Sequence, residues 1–540
     1  MNLMEKGTKM IIAIVAAASL IAGLLIGLAL AGNLKLTADG KKKKNGTEQE
    51  FYTLQFEERN LALDAEMVYR GSYKADENWI TEKGKYFTKT GDRFYYVREN
   101  YYGLNGVQGA AGFELHWKED TTFNAVRLNE NTDNVALFRL YALNGTQWEM
   151  IYEQDRISTE NICYTGEITT RALRLELNDT IEYVELETIG VYYLNKYKRN
   201  GFKVSQYLRM DNLDIVERVG DSGFSGYYDV VTDVIVFDAI YLDADGKSVF
   251  CGDPAGGEEK IAANLNALKT IIGTRPVRVW ATVFFDQYKL SPEGDRYRDL
   301  DTTADMLLAK RDTVNASLKA LVNTYGLYGI DYDWEFPETE THWKAYNQIL
   351  CDTADFTKVS VAISPWRFGA PASTVEKIEH FNVMFYDHFD NRGHHSSMMS
   401  GGYESLHYMY KNLTHIPKEK ILLGIPTYGR TVNRSGNAWP QYKDYVTKTA
   451  GGYEGKLGKW TNRIDEFVYF EDGVEKKARA YLNGYGIVRD KTLFSLASEL
   501  GGLMIFRAQC DAPYDYQYSL HRAIKEVLDT MVVKPEGNNL

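Results

Sequence analysis

The sequence predicts an α/β chain whose main body is a (β/α)8 TIM barrel, preceded by an antiparallel β-sandwich. Three observations predict it. Short apolar runs recur eight times between residues 203 and 506, several separated by helical stretches such as "ADMLLAKRDTVNASLKALVNTYG", and strands alternating with helices build a parallel sheet. One of these runs, "GLYGIDYDWEFP" at 326–337, sets Asp331, Asp333 and Glu335 at every second position, which on a strand puts three carboxylates on one face. Before residue 200 the texture differs: short alternating runs separated by turn residues, without a convincing helical stretch, as an antiparallel sandwich requires.

In chain order, Lys6 and Lys9 precede an uncharged apolar run at 10–31. It is long enough to span a bilayer, and Ala29-Leu30-Ala31 also fits a signal cleavage site. Residues 1–32 therefore read as a signal anchor or a signal peptide, with the retained anchor preferred. Both readings make the chain extracytoplasmic, either membrane-anchored by the N-terminal helix or secreted. Residues 33–50, with four lysines at 41–44, are polar and short of apolar side chains, a flexible linker. The sandwich occupies 51–195, with strands in "FNAVRLNE", "ALFRLYAL", "WEMIYEQ", "ALRLELN" and "YVELETIGVYYL". The barrel occupies 196–533, its strands in "KVSQYL", "VTDVIVF", "VRVWATVFF", "GLYGIDYDW", "KVSVAIS", "FNVMFY", "KILLGIPTY" and "GGLMIF". Residues 431–490 exceed what one crossover helix needs, and "FVYFEDGVEKKARAYLN" reads as a hairpin in a small insertion before the eighth strand. Residues 534–540 form a short polar tail.

Bulk properties exclude some functions. A net charge of −12 argues against nucleic-acid binding, whose footprint is basic. Cys163, Cys251, Cys351 and Cys510 are far apart with no CxxC pair, so neither a zinc site nor a disulfide scaffold is expected. His394-His395 lack a third ligand at helical spacing and read as loop residues.

Barrel chemistry sits at the C-terminal ends of the strands. Read as the last strand residue before Phe336-Pro337, Glu335 lies at the rim, Asp333 one step deeper and Asp331 deeper still, while Tyr332 and Trp334 point the other way. A row of like charges is unfavourable unless something uses it, and an acid beside another acid, screened from water, keeps its proton to higher pH. Protonating a glycosidic oxygen needs such a group. The alternative is a set of salt-bridged core acids, which three on one strand face make weak.

The segment "YGIDYDWEFP" resembles the DGxDxDxE signature of glycoside hydrolase family 18. "VMFYD" (383–387) is similar to that family's sixth-strand Met-x-Tyr-Asp, "KILLGIPTYGR" (420–430) to its seventh strand, and "GGLMIF" (501–506) to its closing GGxMxW. The four segments follow the family's order. The resemblance implies a retaining glycosidase that needs no metal or cofactor, in which the substrate's acetamido oxygen attacks the anomeric carbon. Glu335 would be the general acid and then base, Asp333 would orient the acetamido group, Asp331 would modulate Asp333, and Tyr386 would donate to the acetamido oxygen. Met384, Asp387, Tyr428, Arg430 and Phe506 would bind substrate. Tyr207 on the first strand reads as a sugar-site or a core tyrosine, and Trp366, just after "VAISP", as a cleft or a packing residue. Three departures are visible: Tyr328 replaces the first Asp of the signature, "WATVFF" stands where Ser-x-Gly-Gly is usual, and Phe506 replaces the eighth-strand Trp.

The sandwich segments resemble the discoidin-like, galactose-binding-domain fold. That resemblance implies either a second sugar site or a spacer. The expected function is hydrolysis of β-1,4-linked N-acetylglucosamine glycans: chitin-type oligomers, the chitobiose core of N-glycans, or bacterial wall glycan. The alternative is a catalytically weak or inactive chitinase-like lectin, against which the presence of Glu335 argues. The expected partner is the glycan, with the membrane as a second if the N-terminal segment is uncleaved.

Overall fold

A computed structural model describes residues 56–70, 111–130, 134–157, 161–180, 186–198, 201–209, 215–243, 245–250, 257–285, 288–290, 296–298, 300–365, 368–387, 389, 413–432, 439–447, 458–471 and 473–533. The predicted anchor, linker and tail, together with Cys251, Trp366 and His394-His395, lie outside the described residues. Among the described residues no helix is long and apolar enough to cross a membrane.

Eight parallel strands close into a barrel. In chain order they are Lys203–Arg209, Asp233–Leu242, Arg278–Phe284, Gly329–Asp333, Lys358–Ile363, His380–Val383, Ile421–Pro426 and Gly502–Phe506. Each pairs with the next, and the eighth returns to the first through Gly502↔Lys203 and Leu503↔Val204. Each of the eight predicted runs supplies one strand. The interior is filled by Tyr207, Ile235, Trp280, Ala362, Leu422 and Met504 from six of the strands, so the barrel is a packed core open to chemistry only at its mouth.

Local sequence explains how the fourth strand is delivered. The helix before it, Arg311–Tyr325, buries Val314, Leu318, Leu321 and Val322, one stripe at helical spacing. It stops at Gly326, whose φ of 58° is left-handed, a conformation that glycine adopts without a side-chain clash. Gly329 then opens the strand with no side chain, and the Trp280 ring fills that space: a Cβ there would stand 2.3 Å from the indole. On the outward face, Tyr332 bonds Thr353 at 2.6 Å, and Trp334 packs on Phe285 and Tyr346 with ring centroids 5.0 and 5.3 Å away. These contacts fix the strand's rotation, turning the acids inward.

Among the described residues of the N-terminal region, six strands form one antiparallel sheet. Its two longest strands, Ala111–Glu130 and Asn161–Thr180, run side by side, with register shifts between His116/Thr121 and Phe123/Ala125. Phe113, Leu115, Trp117 and Phe123 face the core, and beyond the second shift Val126 and Leu128 do. The bulge changes the parity of the buried positions and bends the strand, so the sheet encloses its own core.

The sheet and the barrel belong to one compact unit, Leu54–Leu540. Asp490, on the helix Tyr485–Ala497, accepts from the Tyr152 hydroxyl at 2.5 Å and the Tyr164 backbone N–H at 2.7 Å. Asn462 Nδ2 donates to Gln154 Oε1 at 2.5 Å, and Trp460 packs on Tyr152 and against the sheet's core. The predicted insertion is present as strands Arg463–Glu471 and Val474–Tyr481, the second paired with Arg430–Thr431. The same insertion thus supplies Trp460 and Asn462 to the sheet and a paired strand to Arg430–Thr431, just beyond the seventh strand.

Candidate active site

Asp331 lies at the base of the acid row. It is fully buried and accepts four side-chain hydrogen bonds. Tyr207 Oη and Thr282 Oγ1 donate to Oδ2 at 2.9 and 3.1 Å, and Ser360 Oγ and Asn382 Nδ2 to Oδ1 at 2.6 and 3.2 Å. The donors come from the first, third, fifth and sixth strands. Burial pushes the Asp331 carboxyl above the ordinary carboxylate range, against the pull of these four donors.

Above it the acids climb toward the mouth. Asp333 is buried and Glu335 half-buried. The strand itself ends at Asp333, paired with Ala362, so Glu335 is not its last residue as expected. It lies two residues beyond, where the chain leaves the ladder and bends. The peptide bonds at Glu335–Phe336 and Phe506–Arg507 are both cis. Tyr386 is the meeting point of the acids. Burial first, and then the charges of Asp333, Glu335, Asp387 and Asp331, push its phenol well above its ordinary value. It therefore stays protonated and is a hydrogen-bond donor throughout the ordinary pH range.

Aromatic rings make the floor. Phe506 stacks on Tyr386 with centroids 5.7 Å apart and planes at 26°. Tyr207, Phe237 and Tyr428 stand around it at 5.7, 5.4 and 6.3 Å. Met384 and Phe237 pack at the edge of the same cluster. Tyr207 is thus a buried core ring, and its hydroxyl donates to Asp331 at the base of the acid row. Gly424 on the seventh strand permits this crowding, since a Cβ there would meet Val383 O at 2.4 Å and Tyr386 Cε1 at 3.2 Å.

On one side of the mouth sit Asp387 and Arg430. Asp387 has a φ of 63°, an uncommon conformation for a residue with a side chain. Arg430 Nε lies 3.6 Å from Asp387 Oδ1, an ion-pair separation, and its guanidinium stacks 3.6 Å from the Trp439 ring. A buried guanidinium needs such compensation. Among the described residues no group of three or more His, Cys, Asp or Glu side chains is arranged to hold a metal ion.

Sequence reasoning missed Thr282, Ser360, Asn382, Phe237 and Trp439. For the first three a signal existed: each is a polar residue inside an otherwise apolar strand run, and on a closed barrel such positions point inward together. Thr282 lies in the third-strand segment that departs from Ser-x-Gly-Gly, so the departure leaves a donor in place. Tyr328, another departure, sits under the Arg278 guanidinium at 4.9 Å and beside Trp280.

The yeast sporulation-specific chitinase 2 of Saccharomyces cerevisiae is 25% identical over 170 residues, covering 26% of this chain and 33% of that protein. This chain thus spans about a third of that relative's length. Among solved structures, a chitinase from Bacteroides thetaiotaomicron is 17% identical, covering 63% of this chain and 99% of that one with a TM-score of 0.45. A GH18 chitinase from the chitin utilization locus of Flavobacterium johnsoniae is 18% identical, with 62% and 95% covered and a TM-score of 0.43. Residues 293–511, which hold the acid row and the fourth to eighth strands, match the model for glycosyl hydrolases family 18, and this match supports a family 18 catalytic domain in the chain.

Proposed function

We propose that the chain is a retaining glycoside hydrolase that cleaves β-1,4 bonds after N-acetylglucosamine with the substrate's own acetamido group as nucleophile. One observation carries the reading: the rise from Asp331, fixed by four donors, through buried Asp333 to half-buried Glu335 beside the Tyr386 phenol. Glu335, nearest to solvent, gives its proton to the glycosidic oxygen as the bond to the anomeric carbon breaks. The acetamido carbonyl oxygen forms the new bond to that carbon, and positive charge spreads over the acetamido group. Asp333 faces that charge and orients the group, Tyr386 donates to the acetamido oxygen, and Asp331 sets the charge state of Asp333 from below. Water then attacks the anomeric carbon, gives a proton to Glu335, and the acetamido group is released with configuration retained.

Phe506 floors the reacting sugar, while Met384, Asp387, Tyr428 and Arg430 line its surroundings. The chitinase name of the yeast relative supports chitin-type oligomers as the first substrate class, ahead of the chitobiose core and wall glycan. The apolar run at 10–31 would carry this activity outside the cytoplasm, anchored or secreted. The test uses the full-length chain and Glu335→Gln with chito-oligosaccharides, a high-mannose glycoprotein and wall glycan, products read by mass spectrometry. Cleavage of any substrate by the wild type and not by the variant is expected. Equal cleavage by both, or by neither, overturns the proposal; in the second case, retained oligosaccharide binding would favour the lectin reading.

A further inference from the structure

We infer that Trp439 forms a further sugar subsite, an indole platform on the rim that stacks against a pyranose unit beyond the one held over Phe506. The inference rests on the glycosidase reading above and names a residue that determines its preference for chain length. Trp439 is 46% exposed, unusual for so large an apolar ring. Phe470 and Val474, more exposed still, flank the hairpin turn, whereas Trp439 touches the residues of the mouth. Its ring lies 3.6 Å from the buried Arg430 guanidinium and 4.9 Å from the Tyr428 ring. Tyr428 in turn stands 6.1 Å from Tyr386 and 6.3 Å from Phe506. One continuous run of rings therefore climbs from the floor beside the acids to a solvent-facing indole.

The backbone that follows the indole is tied to the end of the seventh-strand segment. Next to it, Pro440 O accepts from the Gly429 N–H at 2.6 Å, and Tyr442 N donates to Thr427 O at 3.2 Å. Gly429 permits the approach, since a Cβ there would stand 3.0 Å from Pro440 and 2.7 Å from Tyr481 O. A ring already packed against a cation and a phenol loses little freedom when a ligand covers its exposed part, which is the economy of preorganised binding. The ligand that fits is a pyranose, whose axial C–H face is flat and apolar while its rim of hydroxyls stays in water.

The test compares full-length wild type, Trp439→Ala and Trp439→Phe on chito-oligosaccharides from dimer to hexamer. Loss of one aromatic stack corresponds to about three- to tenfold in affinity. The alanine variant should therefore lose that factor in kcat/KM on the longer oligomers, through KM, with the shortest cleaved oligomer unaffected and phenylalanine restoring most of the loss. An equal loss at every length, or none, overturns the subsite and leaves the proposed activity standing. If the wild type cleaves nothing, binding decides separately. Oligosaccharide-induced fluorescence quenching that is present in wild type and reduced in Trp439→Phe supports the platform even though the activity fails, and unchanged quenching or no binding overturns it.

Discussion

Tyr207 on the first strand donates to Asp331 on the fourth at 2.9 Å, so the acid row is held from across the barrel as well as by its neighbours. Phenol and carboxylate are both fully buried, and burial pushes both groups upward. A carboxyl shifted upward keeps its proton in the folded state at pH values where the unfolded chain has lost it. Its contribution to stability therefore falls as pH rises from the ordinary carboxylate range to the folded pKa. Tyr207→Phe removes one of the donors that oppose the shift. We expect a loss of about 1–3 kcal/mol in stability above that window, with the acid limb of the pH–rate profile moved to higher pH. Denaturant unfolding and rate profiles of the two proteins check this, and an unmoved acid limb would contradict the role given to Asp331.

Phe506 occupies the position where a tryptophan is usual in the resembled family, and it is already boxed in by Tyr207, Phe237, Tyr386 and Tyr428. Replacement with tryptophan overfills that box. Phe506→Trp should lower stability by about 1–3 kcal/mol and reduce kcat by displacing Tyr386. Phe506→Ala should raise KM by removing the floor. Melting temperature and steady-state kinetics measured together separate the two effects. A tryptophan variant that is both more stable and more active would show that the box has room to spare.

Gly424→Ala tests the spacing of the sixth and seventh strands. The new methyl would meet Val383 O at 2.4 Å and Phe385 N at 2.7 Å, both backbone atoms that cannot rotate away. The strands must part, and the main chain carrying Tyr386 moves with them. Stability should drop by at least about 1–3 kcal/mol, and activity should fall more than folded fraction accounts for. Activity that tracks folded protein one for one would detach Tyr386 from the chemistry.

The barrel was legible because each strand is a short apolar run and helical stretches separate several of them; hydrophobic pattern alone places such elements. The acid row was legible as alternation, but its end was not. Whether Glu335 stays in the ladder depends on the partner strand, whose pairing stops at Ala362. The sandwich runs were found, while their union into two twenty-residue strands was hidden by bulges that change the buried parity. Least legible was the docking of sheet on barrel, since Tyr152 and Asp490 meet across 338 positions and neither belongs to a local pattern.

That docking contact gives the last prediction. Burial pushes the Asp490 carboxyl up to about 7 from its ordinary 3.8, while the bonds from Tyr152 and Tyr164 and the charge of Arg489 pull the other way. Between these two values the folded state holds a proton that the unfolded chain has released, so stability falls as pH rises through the window. His380 acts in the opposite sense. Burial lowers its imidazole to about 3 from 6.5, so over that range the unfolded chain holds the extra proton and stability rises with pH. The two slopes, each up to about 1.4 kcal/mol per pH unit, largely cancel in the wild type where the windows overlap. Asp490→Asn removes the first and leaves the second. Its unfolding free energy should therefore climb more steeply than that of the wild type between about pH 4 and 6.5, and the two curves should run parallel above pH 7. Urea titrations at each pH measure both curves directly. Parallel curves throughout would mean that Asp490 is ionised in the interface across the whole range, with Tyr152 and Tyr164 outweighing its burial.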